Sequence, residues 1–120
     1  MNKRIIPAAA LIMLFFACDT SAFVIVRDGE SLVVIVTSAD APGSIKLAAR
    51  ELADHIKLMS GAAPAIVSDT EYQGGPAIAL GDTTIAREHK VDIAGLGVDG
   101  FRLVMPTSDV MVIRGRDYTG

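Results

Sequence analysis

The sequence predicts an α+β domain: a mixed β-sheet of about six strands with one long and one short helix packed on one face. Three observations lead there. Short runs rich in β-branched residues recur along the chain, a single stretch carries a long 3.6-residue apolar period, and strands and helices do not alternate regularly.

"FVIVRD" (Phe23 to Asp28) and "LVVIVT" (Leu32 to Thr37) flank "GES" and read as a hairpin with a three-residue loop. The period then changes. Ile45, Ala49, Leu52, Ile56 and Met59 fall on one face of a helix, with Lys46, Arg50, Asp54 and Lys57 on the other and Arg50 and Asp54 as an i,i+4 pair. Asp40 and Pro42 give start signals and Gly61 a stop. "APAIVSD" (Ala63 to Asp69) and "PAIALGD" (Pro76 to Asp82) are two further strands joined by the turn-rich "TEYQGG". Thr83 to Lys90 forms a short helix capped near Asp82 or Thr83. "FRLVMP" (Phe101 to Pro106) and "VMVIRG" (Val110 to Gly115) make a second hairpin around "TSD".

The first 22 residues read as an export signal and 23–120 as one domain. Lys3 and Arg4 precede an apolar run from Ile5 to Ala17, shorter than the roughly 20 residues that a membrane span needs, so no transmembrane segment is expected. Thr20 and Ala22 supply a small-residue cleavage site ahead of Phe23. Cys18, the only cysteine, ends "FFAC", which is close to a lipoprotein signal except for Phe15 where Leu is usual; lipidation at Cys18 and plain cleavage after Ala22 both stay open. In either case the domain has no cysteine pair for a disulfide framework, a redox motif or a Cys-based zinc site. Removing Lys3, Arg4 and Asp19 from 11 basic and 14 acidic residues leaves 9 and 13. A net negative domain without a basic cluster argues against nucleic acid and against an anionic lipid surface.

"GLGVDG" (Gly95 to Gly100) has the spacing of a dinucleotide-binding loop. Such a loop follows a strand and opens a helix whose free N–H groups hold pyrophosphate. Here Gly100 opens a strand, with Phe101, Leu103 and Met105 alternating against Arg102 and Val104, so the glycines read as a sharp turn and no cofactor is expected. Glu51 and His55 are one turn apart on the polar side of the long helix and read as a solvated pair. His89 stands beside Arg87 and Glu88 without a ligand set for a metal. Asp82, Glu88, Asp92 and Asp99 sit at strand ends and loops as turn or cap residues, and no nucleophile elbow occurs. The reading assigns no catalytic, cofactor-binding or metal residue. Tyr72, beside Gly74, is the one aromatic side chain placed to offer a solvent-facing sugar platform.

The order of "AARELADHIKLMSGAAPAIV" (Ala48 to Val67), "AIALGDT" (Ala77 to Thr83), "GVDGFRLVM" (Gly97 to Met105) and "VMVIRGRDYTG" (Val110 to Gly120) resembles the N-terminal domain that precedes the catalytic barrel in α-glucuronidases and β-hexosaminidases. It looks closest to related bacterial proteins that carry a DUF4838 region. Ala49, Glu51, Leu52, Ile56 and Gly61 match the helix motif; Ile78, Leu80 and Gly81 the second piece; Asp99, Gly100 and Phe101 the third; Ile113 and Gly115 the fourth. "GRDYTG" departs from the usual continuation, which favours the less characterised relatives over α-glucuronidase proper. The resemblance implies a mixed sheet with helices on one side, a downstream catalytic barrel that holds the carboxylates, and an exported carbohydrate-processing protein of which this is a non-catalytic part. The other expectation is a free-standing exported or lipid-anchored module that binds a glycan or a protein.

Overall fold

The computed structural model describes residues 22–116. The expected export signal, Cys18 and Tyr118 lie outside the described residues. The elements are β1 (Val26–Arg27), β2 (Glu30–Ser31), β3 (Val34–Thr37), α1 (Gly43–Ser60), β4 (Ile66–Ser68), β5 (Ala77–Leu80), α2 (Thr84–Glu88), β6 (Phe101–Thr107) and β7 (Val110–Gly115). The class is α+β. A five-stranded mixed sheet in the order β4-β3-β5-β7-β6 stands beside the two-stranded β1-β2 ribbon.

The first hairpin is tighter than the residue pattern suggests. Val26 pairs with Ser31 and Arg27 with Glu30, so the turn is Asp28-Gly29 alone. Both residues have positive φ, 53° and 78°, the geometry of a type I′ turn whose twist suits two antiparallel strands. The pairing is used up by Ser31, and the apolar run that follows leaves the ribbon and enters the main sheet as β3. There β3 lies parallel to β4 on one side and to β5 on the other; β5 lies parallel to β7, and β6 closes the edge antiparallel to β7.

Helix α1 runs slightly beyond its apolar period, from Pro42 as N-cap to Gly61, which takes the left-handed conformation at φ 82° and donates its N–H to the Lys57 carbonyl. A residue with a Cβ is strained at that φ, so glycine sets the stop. Met59, at the last turn, is 79% exposed rather than buried with Ala49, Ala53 and Ile56. Arg50 and Asp54 share the solvent face, and the ion pairs found among the described residues lie elsewhere. The short helix α2 is capped by Thr83, fully buried, whose hydroxyl accepts the Ala86 N–H at 3.1 Å.

The two helices do not share one face, and this corrects the expectation from sequence. Val33, Ile35, Ile78 and Leu80 pack with Ala49 and Ala53 of α1, whereas Val36, Ala77, Ala79, Val110 and Val112 pack with Ile85 and Ala86 of α2 and with Val91. Topology explains the division. The crossover from β3 through α1 to β4 moves one way along the sheet, and the connection from β4 to β5 moves the other way past β3. Parallel crossovers are right-handed, so opposite directions occupy opposite faces. Tyr72, in the second connection, accordingly packs against the α2-side cluster.

Strand β5 is buried at all four positions, with alanines toward α2 and Ile78 and Leu80 toward α1. Ile78 is 2% exposed and pairs with Ile35 on one side and Met111 on the other. Replacing Ile78 by Ala should lower the unfolding free energy by about 3 kcal/mol, through lost transfer energy and a cavity between sheet and helix. Urea denaturation of the chain of residues 23–120 measures this; a loss below about 1 kcal/mol would show that the site is loosely packed.

Candidate functional site

The residues that the sequence offers for chemistry are dispersed. His55 is exposed and its Nδ1 donates to the Glu51 backbone carbonyl at 2.7 Å, not to the Glu51 carboxylate. His89 is the exposed C-cap of α2. Asp92 is taken by Arg102 at 2.9 Å and by the Ala94 N–H at 3.1 Å, a loop-holding role. Glu88 and Asp99 are exposed. Among the described residues no group of three His, Cys, Asp or Glu side chains is placed to hold a metal ion, and no helix is long and apolar enough to cross a membrane.

Gly95 to Gly100 forms two turns that lead directly into β6. A Cβ on Gly100 would stand 3.0 Å from the Leu96 Cβ and 3.1 Å from the Gly97 backbone, so the turn is too tight for a side chain there. Arginines of the second hairpin hold this loop and the approach to it. Arg102 donates to the Asp92 and Ala94 carbonyls, Arg114 to Val91 and Arg116 to Leu96. Carbonyl oxygens are thus occupied by side chains of the neighbouring strands, and the loop is an anchored part of the sheet edge.

Tyr72 is half-buried. Its ring packs on the α2-side cluster and its hydroxyl donates to the Gly75 carbonyl. Burial, with a smaller contribution from the Asp109 carboxylate, raises the phenol above its ordinary value, so it remains a neutral donor at physiological pH. The adjacent Gly74-Gly75 turn is exposed.

Two surface features are better defined. The first is apolar. Phe101, Leu103 and Met105 alternate on the face of β6 that continues the α1 side of the sheet, because Leu103 pairs with Ile113, whose side chain packs with the α1 cluster. Helix α1 lies over β3 and β4, and the β6-β7 hairpin brings no crossover element of its own. The outer part of this face is therefore bare: Phe101 is 68%, Leu103 53% and Met105 39% exposed. Phe101 pairs with Gly115, which has no side chain to cover it.

The second feature is polar and lies beyond the carboxyl ends of β3 and β5. Ser38, Asp40, Ala41, Pro42, Ile45, Leu80, Asp82 and Arg87 surround a crevice of about 240 Å³. Asp82 Oδ1 accepts from Arg87 Nε at 3.1 Å, and Arg114, 15% exposed, approaches the same oxygen at 3.8 Å. The pairing and the Asp82 charge hold the Arg87 guanidinium above its ordinary value. Asp40 accepts the Ser38 hydroxyl, and this bond chiefly holds its carboxyl below the usual range. Behind the crevice, Asp69 ties both walls together: Oδ1 accepts the Ala39 N–H at 3.3 Å and Oδ2 the Thr84 N–H at 2.9 Å. The residue pattern marks Asp40 as a helix start and Asp82 as a cap; only the parallel pairing of β3 with β5 brings them to one place.

No protein-family model, curated protein or solved structure matches the chain.

Burial opposes ionisation of Asp69, yet its hydrogen bonds to Thr84 and Ala39, aided by Arg87, outweigh it and lower the pKa. A carboxyl whose pKa is lower folded than unfolded stabilises the fold above the unfolded value and loses that contribution as pH falls through the folded one. Asp69→Ala should cost about 1 kcal/mol at neutral pH. The gap to the parent protein should stay full above about pH 5 and close below about pH 3. Thermal melts across that range test it; a gap independent of pH would assign the cost to packing instead.

Proposed function

We propose that this chain is a non-catalytic accessory domain of an exported carbohydrate-processing protein, and that it packs against a downstream catalytic barrel. The observation that carries the reading is the bare apolar face of β6, with Phe101, Leu103 and Met105 presented side by side. Large apolar side chains clustered on one exposed sheet face cost solvation in isolation and are a signature of a surface that another element covers. The face is also the one that the topology leaves without a crossover, so its covering element comes from outside residues 22–116.

The scattered carboxylates and histidines agree with a supporting role. Asp92 holds a loop, Asp69 ties two walls together and His55 binds its own helix backbone, each a structural use of a side chain that catalysis would need free. The sequence resemblance supplies the class of parent protein, an exported glycoside hydrolase-like chain, with carbohydrate as what the parent meets.

Two measurements test this together. The intact mass of the native product, checked against the coding frame beyond residue 120, should reveal a longer protein. The chain of residues 23–120 should bind an apolar fluorescent dye, and Phe101→Ser with Leu103→Ser should remove most of that signal without lowering the melting temperature. A native product that ends at Gly120, or a 23–120 chain that binds no dye, contradicts the reading.

A further inference from the structure

The crevice beyond β3 and β5 has a position and a chemistry that the accessory role does not use. Adjacent parallel strands whose chains leave toward opposite faces open a gap at their carboxyl ends, and ligands of open α/β sheets bind there. Here the chain leaves β3 into α1 on one face and leaves β5 into α2 on the other. The gap is the 240 Å³ crevice, with Asp40 and Ser38 on one wall and Asp82 and Arg87 on the other.

From this arrangement we infer that the crevice is a binding site for one neutral sugar ring, read through its hydroxyl groups by Asp40 and Asp82. The valences already taken in the crevice decide what it can hold. Asp40 Oδ1 holds the Ser38 hydroxyl, and Asp82 Oδ1 holds Arg87; the side-chain hydrogen bonds found among the described residues use one oxygen of each carboxylate and leave accepting capacity on the other. Ionised carboxylates only accept, so the complement is a ligand that donates, and vicinal hydroxyls do so. Arg87 spends Nε on the Asp82 carboxylate and Nη2 on the Asp82 carbonyl, which leaves Nη1 to donate to a hydroxyl or ring oxygen.

The walls also exclude alternatives. Arg87 and Arg114 both turn to the Asp82 carboxylate, so the guanidinium charge near the crevice is already engaged and the open valences are mainly acceptors, which favours a neutral donor over an anionic sugar or a phosphate. Ala41, Pro42, Ile45 and Leu80 line the same space and give an apolar surface for the C–H face of a ring. The volume lies below the roughly 300–1,000 Å³ of ordinary small-molecule pockets, which suits one ring rather than a chain. The walls are set before binding, because Asp69 bonds the backbone of both Ala39 and Thr84. This inference stands apart from the docking of the β6 face and holds whether or not a barrel follows.

The test is a titration of the exported, 15N-labelled chain, followed by amide shifts, with methyl glycosides of gluco, galacto, manno and xylo configuration. Sodium glucuronate and calcium chloride are run as separate probes. At least one neutral glycoside should give saturable shifts confined to 38–45 and 80–87, with glucuronate about tenfold weaker or silent. Asp40→Asn and Asp82→Asn, which keep shape and remove charge, should each weaken that glycoside about tenfold at unchanged melting temperature. Should a variant fail to fold, the silence or response of the parent chain to the glycosides decides alone. The inference is overturned if no neutral glycoside shifts those amides, if glucuronate or calcium binds there more tightly than every glycoside, or if both Asn variants in folded form bind as well as the parent.

Discussion

The fold depends on the burial of one short strand from both sides. Ala77 to Leu80 is the centre of the main sheet, and its four side chains are divided between the two apolar clusters. Size is sorted along with direction. Alanines face α2, where Ile85 fills the space, and Ile78 and Leu80 face α1, where Ala49 and Ala53 make room. Facing large with small on each side lets a helix of only five residues and a long one both reach packing contact. The described residues contain no cysteine, so no disulfide assists there and these contacts carry the stability of the domain.

Both surface features are consequences of how the chain enters and leaves that strand. Leaving toward α2 while β3 leaves toward α1 opens the polar crevice. Returning through a hairpin rather than a crossover leaves the outer α1-side face uncovered, so Phe101 and Leu103 stand in solvent. One end of the sheet is thus polar and concave, and one side is apolar and flat. A partner seated on the flat side would leave the crevice open to small molecules, so the proposed accessory role and the proposed sugar site are compatible.

Local chemistry made much of this legible in the sequence. The long helix is read from its period and from Gly61, and the second hairpin from alternation around "TSD", because each signal lies within a few residues of what it determines. The first hairpin was displaced because Asp28 enters the left-handed region with Gly29, which shortens the turn and frees the next run for the main sheet. Strand order and the face taken by each helix depend on pairings between residues far apart, such as Ile35 with Ile78 and Ile66, and no local pattern carries them. The crevice was hidden for the same reason: Asp40 and Asp82 are 42 positions apart and meet only when β3 and β5 lie side by side. The alternation of Phe101, Leu103 and Met105 was visible, but not that the side they share would be left bare.

Amide hydrogen exchange on the chain of residues 23–120 tests the central constraint most directly. If β5 is what the other elements depend on, the amides of Ile78, Ala79 and Leu80 exchange only through global unfolding, with those of Ile35 and Val112 close behind, and the β1-β2 ribbon and the free edge of β6 open much earlier. Protection of β5 no greater than that of the ribbon would contradict the account and place the stabilising centre elsewhere.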